Sequence, residues 1–204
     1  MSADRRPPSG KLSRGAEVEP RQAASAIVLR DAPAGPEVVM VERNPSASFM
    51  GGAWVFPGGA VHDTDGGPAG AAVRELEEEA AIRLGEGELV PFSRWITPAE
   101  VKVRFDTWFF VARAPRGAEP RPDGAECVAA GWLAPRAALE RHGRGELQLV
   151  FPTIKHLEEL AEFASVDDAL DVARGREIVP VLPRVMVGDE GPRVLLPGEP
   201  GYEA

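Results

Sequence analysis

The sequence has one cysteine, no long apolar run and a deficit of basic residues, and each shortage closes off a class of protein. With Cys127 as the single cysteine, no intrachain disulfide can form and the chain fits a reducing compartment. Cys127 itself reads as a small buried apolar residue. No stretch approaches the ~20 apolar residues that a bilayer crossing takes. Residues 1–20, MSADRRPPSGKLSRGAEVEP, carry charges and prolines where a signal peptide needs an apolar centre. A cytoplasmic location is expected, with residues 1–21 as a disordered tail. Acidic residues outnumber basic ones, 32 against 23, for a formal net charge of −9. Such a chain lacks the cationic field that draws proteins to nucleic acids or anionic membranes, so neither is expected as a partner. An anionic substrate would need a metal ion or a local cationic pocket.

What is present suits a folded domain with a real core: 204 residues, 44% hydrophobic and 27% charged. Ala24 to Leu29 and Val38 to Val41 are β-branched runs around the turn-rich Asp31 to Pro36, which predicts a hairpin. Trp54-Val55-Phe56 predicts a strand that ends on the punctuating Pro57-Gly58-Gly59. Strands are also expected at Leu89-Val90, Thr107 to Val111 and Cys127 to Leu133. Helices are expected at Ala69 to Ile82, Pro135 to His142, around Ile154 to Ala161, and at Val166 to Ala173. Val185 to Val187 and Val194 to Leu196 flank Gly188-Asp189-Glu190-Gly191-Pro192 as a terminal hairpin. Strands and helices in this irregular order predict an α/β or α+β sandwich, not a doubly wound sheet.

The chemistry lies in Arg74-Glu75-Leu76-Glu77-Glu78-Glu79. At about 100° per residue, Glu75, Glu78 and Glu79 share one sector of the helix, opposite Val73, Leu76 and Ala80, while Glu77 points elsewhere. Like charges so placed repel unless a cation joins them. Mg²⁺ (with Mn²⁺ as an alternative) prefers carboxylate oxygens, keeps several waters, and can polarise a phosphoryl group while acidifying a bound water. Taken alone, an acidic helix is more often a solvated face. The Pro57-Gly58-Gly59 segment upstream tips the balance, because glycine lets a backbone approach a phosphate or metal closely.

From Gly59 to Ile82 the sequence resembles the Nudix box, G-x5-E-x7-R-E-U-x-E-E-x-G-U with U apolar. Gly59, Arg74-Glu75-Leu76, Glu78-Glu79 and Ile82 match. Ala81 stands in place of the box glycine, and the central loop is one residue longer, with Asp65 the acid nearest the expected glutamate. The resemblance implies an α/β/α sandwich with a mixed sheet, a Nudix domain over 22–145, and an extension of helices and a hairpin over 146–204 packed on the same domain. It also implies a hydrolase of a small-molecule diphosphate substrate, in which Gly59, Glu75, Glu78 and Glu79 hold Mg²⁺ and Arg74 orients the carboxylates. Glu126, just before a late strand, is the candidate base or extra ligand.

Val39 to Gly59 is similar in spacing to the coenzyme A diphosphatase signature, L-L-T-x-R-S-x3-R-x3-G-x3-F-P-G-G. Arg43, Gly52 and Phe56 to Gly59 agree, whereas Asn44 and Ser48 replace its serine and second arginine. Thr97-Pro98 and Arg104 to Phe110 look like the peroxisomal branch of that group and its bacterial relatives. The resemblance points to coenzyme A or acyl-coenzyme A, with 3′,5′-ADP and a 4′-phosphopantetheine species as products. ADP-ribose, a nucleotide sugar or a nucleoside triphosphate is the alternative substrate, and a non-catalytic binding module the alternative class. Arg43, Arg104 and Gly58 are the candidate substrate contacts, guanidinium being matched to phosphate oxygens. His62, His142 and His156 are too scattered for a metal site, and the four tryptophans read as core. A homodimer is left open.

Overall fold

The computed structural model describes residues 18–188 and 191–202. The expected tail lies largely outside the described residues, as does the tip of the expected terminal hairpin. Strand β1 (Arg21–Ala32) turns back into β2 (Gly35–Arg43), with Leu29 opposite Val38 and Ala32 opposite Gly35. Then come β3 (Ala53–Val55), β4 (Gly58–Ala60), helix α1 (Pro68–Ala80), β5 (Val90–Ile96), β6 (Phe105–Arg113), β7 (Cys127–Leu133) and α2 (Pro135–Gly143). β8 (Gln148–Leu149), α3 (Phe151–Leu160), α4 (Val166–Arg174), β9 (Pro180–Val181), β10 (Arg184–Gly188) and β11 (Gly191–Leu195) complete the chain. β10 and β11 form the separate antiparallel hairpin that was expected.

A mixed sheet runs β8-β3-β2-β1-β6-β5-β9, with β4 added on β1 and β7 on β2. Strand β1 is its hub. It pairs in parallel with β6 from Arg21 opposite Phe105 to Leu29 opposite Arg113. On its other side it meets β4 along its first half and β2 along its second.

The sheet is buried on both faces, and alternation along each strand sends successive side chains to opposite cores. Ala24, Ala26, Val28, Val39, Val41, Phe110 and Ala112 pack with Ala71, Ala72, Leu76 and Ala80 of α1. Ile27, Leu29, Val38, Met40, Phe109 and Val111 pack with Ile154, Leu157 and Leu160 of α3 and Ala169 and Leu170 of α4. The result is the expected α/β/α sandwich. The tryptophans pack against these two cores, as expected. Among the described residues no helix is long and apolar enough to cross a membrane.

Three strands were not legible. β4 occupies Gly58–Ala60, where a turn was expected: Ser25 sits opposite Gly58, and Ala24 opposite Gly59. β8 and β9, two residues each, pair in parallel with β3 and β5 at the ends of the sheet. β5 also runs well past the expected Leu89-Val90, burying Phe92 and Trp95 on one face.

Candidate active site

Helix α1 is delivered to the sheet by Pro68 in its first turn and stopped at Ala81, whose φ of 55° and ψ of 30° are left-handed. Ala81 thus performs the helix-ending task for which the box pattern has glycine. The apolar residues Ala72, Leu76 and Ala80 hold the helix against β1 and β2. Glu75 and Glu79 lie beside this apolar face rather than opposite it, and both are buried. This corrects the expected wheel: of the three expected ligands only Glu78 points outward, its side chain 59% exposed. Among the described residues, no three His, Cys, Asp or Glu side chains converge as a ready-made metal cage.

The two buried carboxylates meet β4. The Gly58 N–H donates to Glu79 Oε2 at 2.9 Å. A methyl group on Gly59 would strike the Glu75 carboxylate, and one on Gly58 would lie 2.5 Å from the Ala24 carbonyl oxygen. Glycine is therefore required here for close approach and not for a turn, since neither residue has a positive φ. Gly58, expected to contact substrate, has its amide committed to Glu79. Burial pushes the Glu79 carboxyl up to about 7, aided by the charge of Glu75 and opposed by the Gly58 N–H, Cys127 and Arg43. Burial also raises Glu75, against the pull of Arg74.

Arg74 ties the site together. Its Nε and Nη2 reach both oxygens of Asp65 at 2.8 and 3.0 Å, and Nη2 also reaches the Ala60 carbonyl at 3.0 Å. Its Nη1 reaches Glu75 at 2.8 Å and Glu78 at 2.9 Å. Asp65 accepts in addition from the His62 N–H at 2.7 Å, and these bonds, Arg74 first, pull its carboxyl down to about 2. The acid nearest the expected box glutamate thus forms the arginine pair from a longer loop with a shorter side chain. A depression of about 450 Å³ on the outer flank of α1 is lined by Asp65, Arg74, Glu77, Glu78 and Glu86.

Arg43 approaches from β2. The register against β7 shifts between Glu42 and Arg43, so that Arg43 meets Cys127, the kind of bulge that re-aims a side chain. Its charge acts on Glu79 and Cys127, and its Nε is buried with no hydrogen-bond partner. Cys127 is buried as expected, and burial, with the charge of Glu79, raises its pKa. Glu126 is exposed beside it and acts electrostatically on Glu75. Arg104 is placed differently: its guanidinium donates to the Thr97 and Val18 carbonyls, clamping the start of β6. His156 is a core residue among Phe56, Phe92, Trp95 and Phe109, bonded to Ser93 at 2.6 Å. Sequence reasoning did not single out Asp123, which accepts from the N–H groups of Glu126 and Cys127; an Asp-Gly pair ahead of Glu126 was the available signal.

The geometry agrees with the comparisons. Residues 19–153 match the NUDIX domain model. The chain is 33% identical over 116 residues to the human acyl-coenzyme A diphosphatase NUDT19, covering 54% of this chain and 31% of that protein. It is 44% identical over 70 residues to the uncharacterized Nudix hydrolase NudL of Escherichia coli K12, covering 34% of this chain and 36% of that one. It therefore spans about a third of the length of these relatives. The crystal structure of a NUDIX hydrolase from Alicyclobacillus acidocaldarius aligns with a TM-score of 0.67 at 30% identity, covering 76% of this chain and 97% of that one. The NUDIX domain of Shewanella oneidensis NrtR, complexed with ADP ribose, shares the fold at a TM-score of 0.58 and 18% identity, over 71% and 88% of the chains. With the carboxylate helix docked on a Gly-Gly strand and the domain match over most of its length, the chain belongs to the Nudix hydrolase family.

Proposed function

We propose that the protein is a Mg²⁺-dependent diphosphohydrolase acting on coenzyme A or an acyl-coenzyme A. The observation that carries this reading is the pair of buried carboxylates, Glu75 and Glu79, pressed against Gly58-Gly59 with Glu78 and Glu126 at the exposed rim. Two desolvated acids side by side are costly unless a cation accompanies them. Their oxygen chemistry fits a hard divalent ion, and Glu75, Glu79, Glu78 and the Gly59 backbone are the groups that would hold it, Mn²⁺ serving as an alternative to Mg²⁺. When bound, such an ion supplies polarisation of the diphosphate and activation of water. Arg74 orients Glu75 and Glu78 through charge-assisted hydrogen bonds. Gly58 orients Glu79, and Arg43, whose charge acts on Glu79, is the candidate contact to substrate phosphate. Glu126 is the candidate base or extra ligand.

Coenzyme A is favoured by the human relative's activity together with Arg43, Gly52 and Phe56 to Gly59. Ser48, in place of the second signature arginine, is the observation that favours ADP-ribose or a nucleotide sugar as second reading. Incubating the full chain with Mg²⁺ and a panel of coenzyme A esters and nucleotide diphosphates, with products identified by mass, separates these. The expected products are 3′,5′-ADP and an acyl-phosphopantetheine. Glu79→Gln and Glu78→Gln should each reduce turnover by at least about a hundredfold with folding intact. Unchanged turnover in Glu79→Gln would remove the helix from the chemistry.

A further inference from the structure

Arg43 is flanked by two loops, and one side chain joins them. The Asn44 N–H donates to the Glu126 carbonyl at 2.8 Å. Its side-chain nitrogen donates to the Ala125 carbonyl at 2.8 Å. Its side-chain oxygen accepts from the N–H and the hydroxyl of Ser46 at 3.0 and 2.8 Å. The amide orientation follows from chemistry: a backbone N–H only donates and a backbone carbonyl only accepts, so oxygen must face Ser46 and nitrogen Ala125. From the other side Asp123 takes the N–H of Glu126 at 2.9 Å and that of Cys127 at 2.8 Å. The Gly124 N–H closes the loop on the Cys127 carbonyl at 2.9 Å.

This bonding is dense for an exposed loop. Residues 121–126 are all exposed, and apolar burial does nothing to hold them. An acid on an unpinned loop samples many orientations, whereas a reacting or metal-binding group must be held within roughly half an ångström. Cys127, the next residue, is already fixed in the core shared with Leu76 and Ala80. Glu126 is therefore suspended between a buried anchor and the Asn44–Asp123 clamp.

We propose that Asn44 and Asp123 are positioning residues for Glu126, holding its carboxylate toward the Glu75–Glu79 pair, and that Asn44 couples this loop to the Ser46 loop carrying the partial substrate signature. The proposal rests on the reading of Glu75 and Glu79 as the reaction centre. The Asn44 N–H bond to Glu126 continues the pairing of β2 with β7 one step beyond Arg43 opposite Cys127 and would form with any residue there. The side-chain bonds from Asn44 to Ala125 and Ser46 lie outside that ladder, and strand pairing does not require them.

The test uses nearly isosteric variants. Asn44→Asp keeps the acceptor for Ser46 but sets an oxygen against the Ala125 carbonyl, and Asp123→Asn sets an amide against an N–H. Each is expected to lower kcat with Mg²⁺ and the substrate found above by roughly 10- to 100-fold, with KM within about twofold and Tm nearly unchanged. In a Glu126→Gln background the same substitutions should cost little more, since residues acting through one group are not additive. Full additivity, or wild-type kcat in Glu126→Gln, overturns the proposal. If the wild type cleaves nothing on the panel, the reading of the reaction centre has failed, and hydrogen exchange still decides the clamp. Faster exchange confined to residues 123–127 in Asn44→Asp supports it, and unchanged exchange there overturns it.

Discussion

Ala81 is the residue at which the sequence most clearly departs from its family pattern, and the structure shows what the departure costs. It is exposed and left-handed at the end of α1, a conformation that strains a side chain bearing a Cβ by roughly 1–2 kcal/mol. Ala81→Gly is therefore expected to stabilise the protein by about 0.5–1 kcal/mol, part of the relief being lost to glycine's greater freedom when unfolded. A rise in urea midpoint without change in slope would show it; a fall would mean that the strain is absent. At this scale the sequence was readable where residue type alone decides the matter, as with Cys127, or where the family resemblance supplies the role, as with Arg74. Asp65 needed the fold, because only the three-dimensional path of the loop shows that one extra residue brings a shorter acid to the same guanidinium. Arg104 needed the fold too, since nothing local reveals that its guanidinium donates to the Thr97 and Val18 carbonyls.

Among the elements, β4 carries the largest difference between expectation and structure. Gly58-Gly59 reads as a turn by composition, yet it is extended and laid along β1, its side-chain-free surface serving as the floor beneath two glutamates. Its two glycines face different neighbours, so their alanine variants should fail differently. Gly58→Ala pushes a methyl group into the backbone of β1 and is expected to cost about 1–3 kcal/mol of stability, read from the urea midpoint. Gly59→Ala pushes against the Glu75 carboxylate; stability should fall less while turnover collapses. Equal loss of stability in both would contradict this division. The strands that escaped sequence reading, β8 and β9, are two residues long, too short for any periodicity to register, and exist only because β3 and β5 present them with partners. The helices, in contrast, were legible because a 3.6-residue pattern persists through them, and β1, β2 and β6 because their β-branched and aromatic runs are unbroken.

Taken together, the described residues form a sheet with one α-helix on one face and three on the other, and His156 lies buried in the layer between β5, β6 and α3. Burial pushes its pKa down to about 3 from an ordinary 6.5. Between those values the unfolded chain binds a proton that the native state refuses, so stability falls as pH drops from 6.5 toward 3, with a slope approaching about 1.4 kcal/mol per pH unit. Glu79, raised to about 7, acts with the opposite sign between 4.5 and 7. It is common to the wild type and to His156→Phe, so the difference between their urea midpoints isolates the histidine. The wild type should lose ground to the variant from pH 6.5 down to 4.5; parallel curves would show that the imidazole is accessible to protons. The two-faced core was foreseeable from the family resemblance, but the pairing of β1 with β6 was not legible in the sequence, because strand order across a parallel join leaves no trace in either segment. That join has a consequence for biogenesis. β1 leaves the ribosome well before β6 exists, so its most extensive partner is absent while β2 and β4 are already at hand. Translation thus imposes an order in which a half-finished sheet waits with its central edge open, and a chaperone that shields that edge would act on residues 21–29.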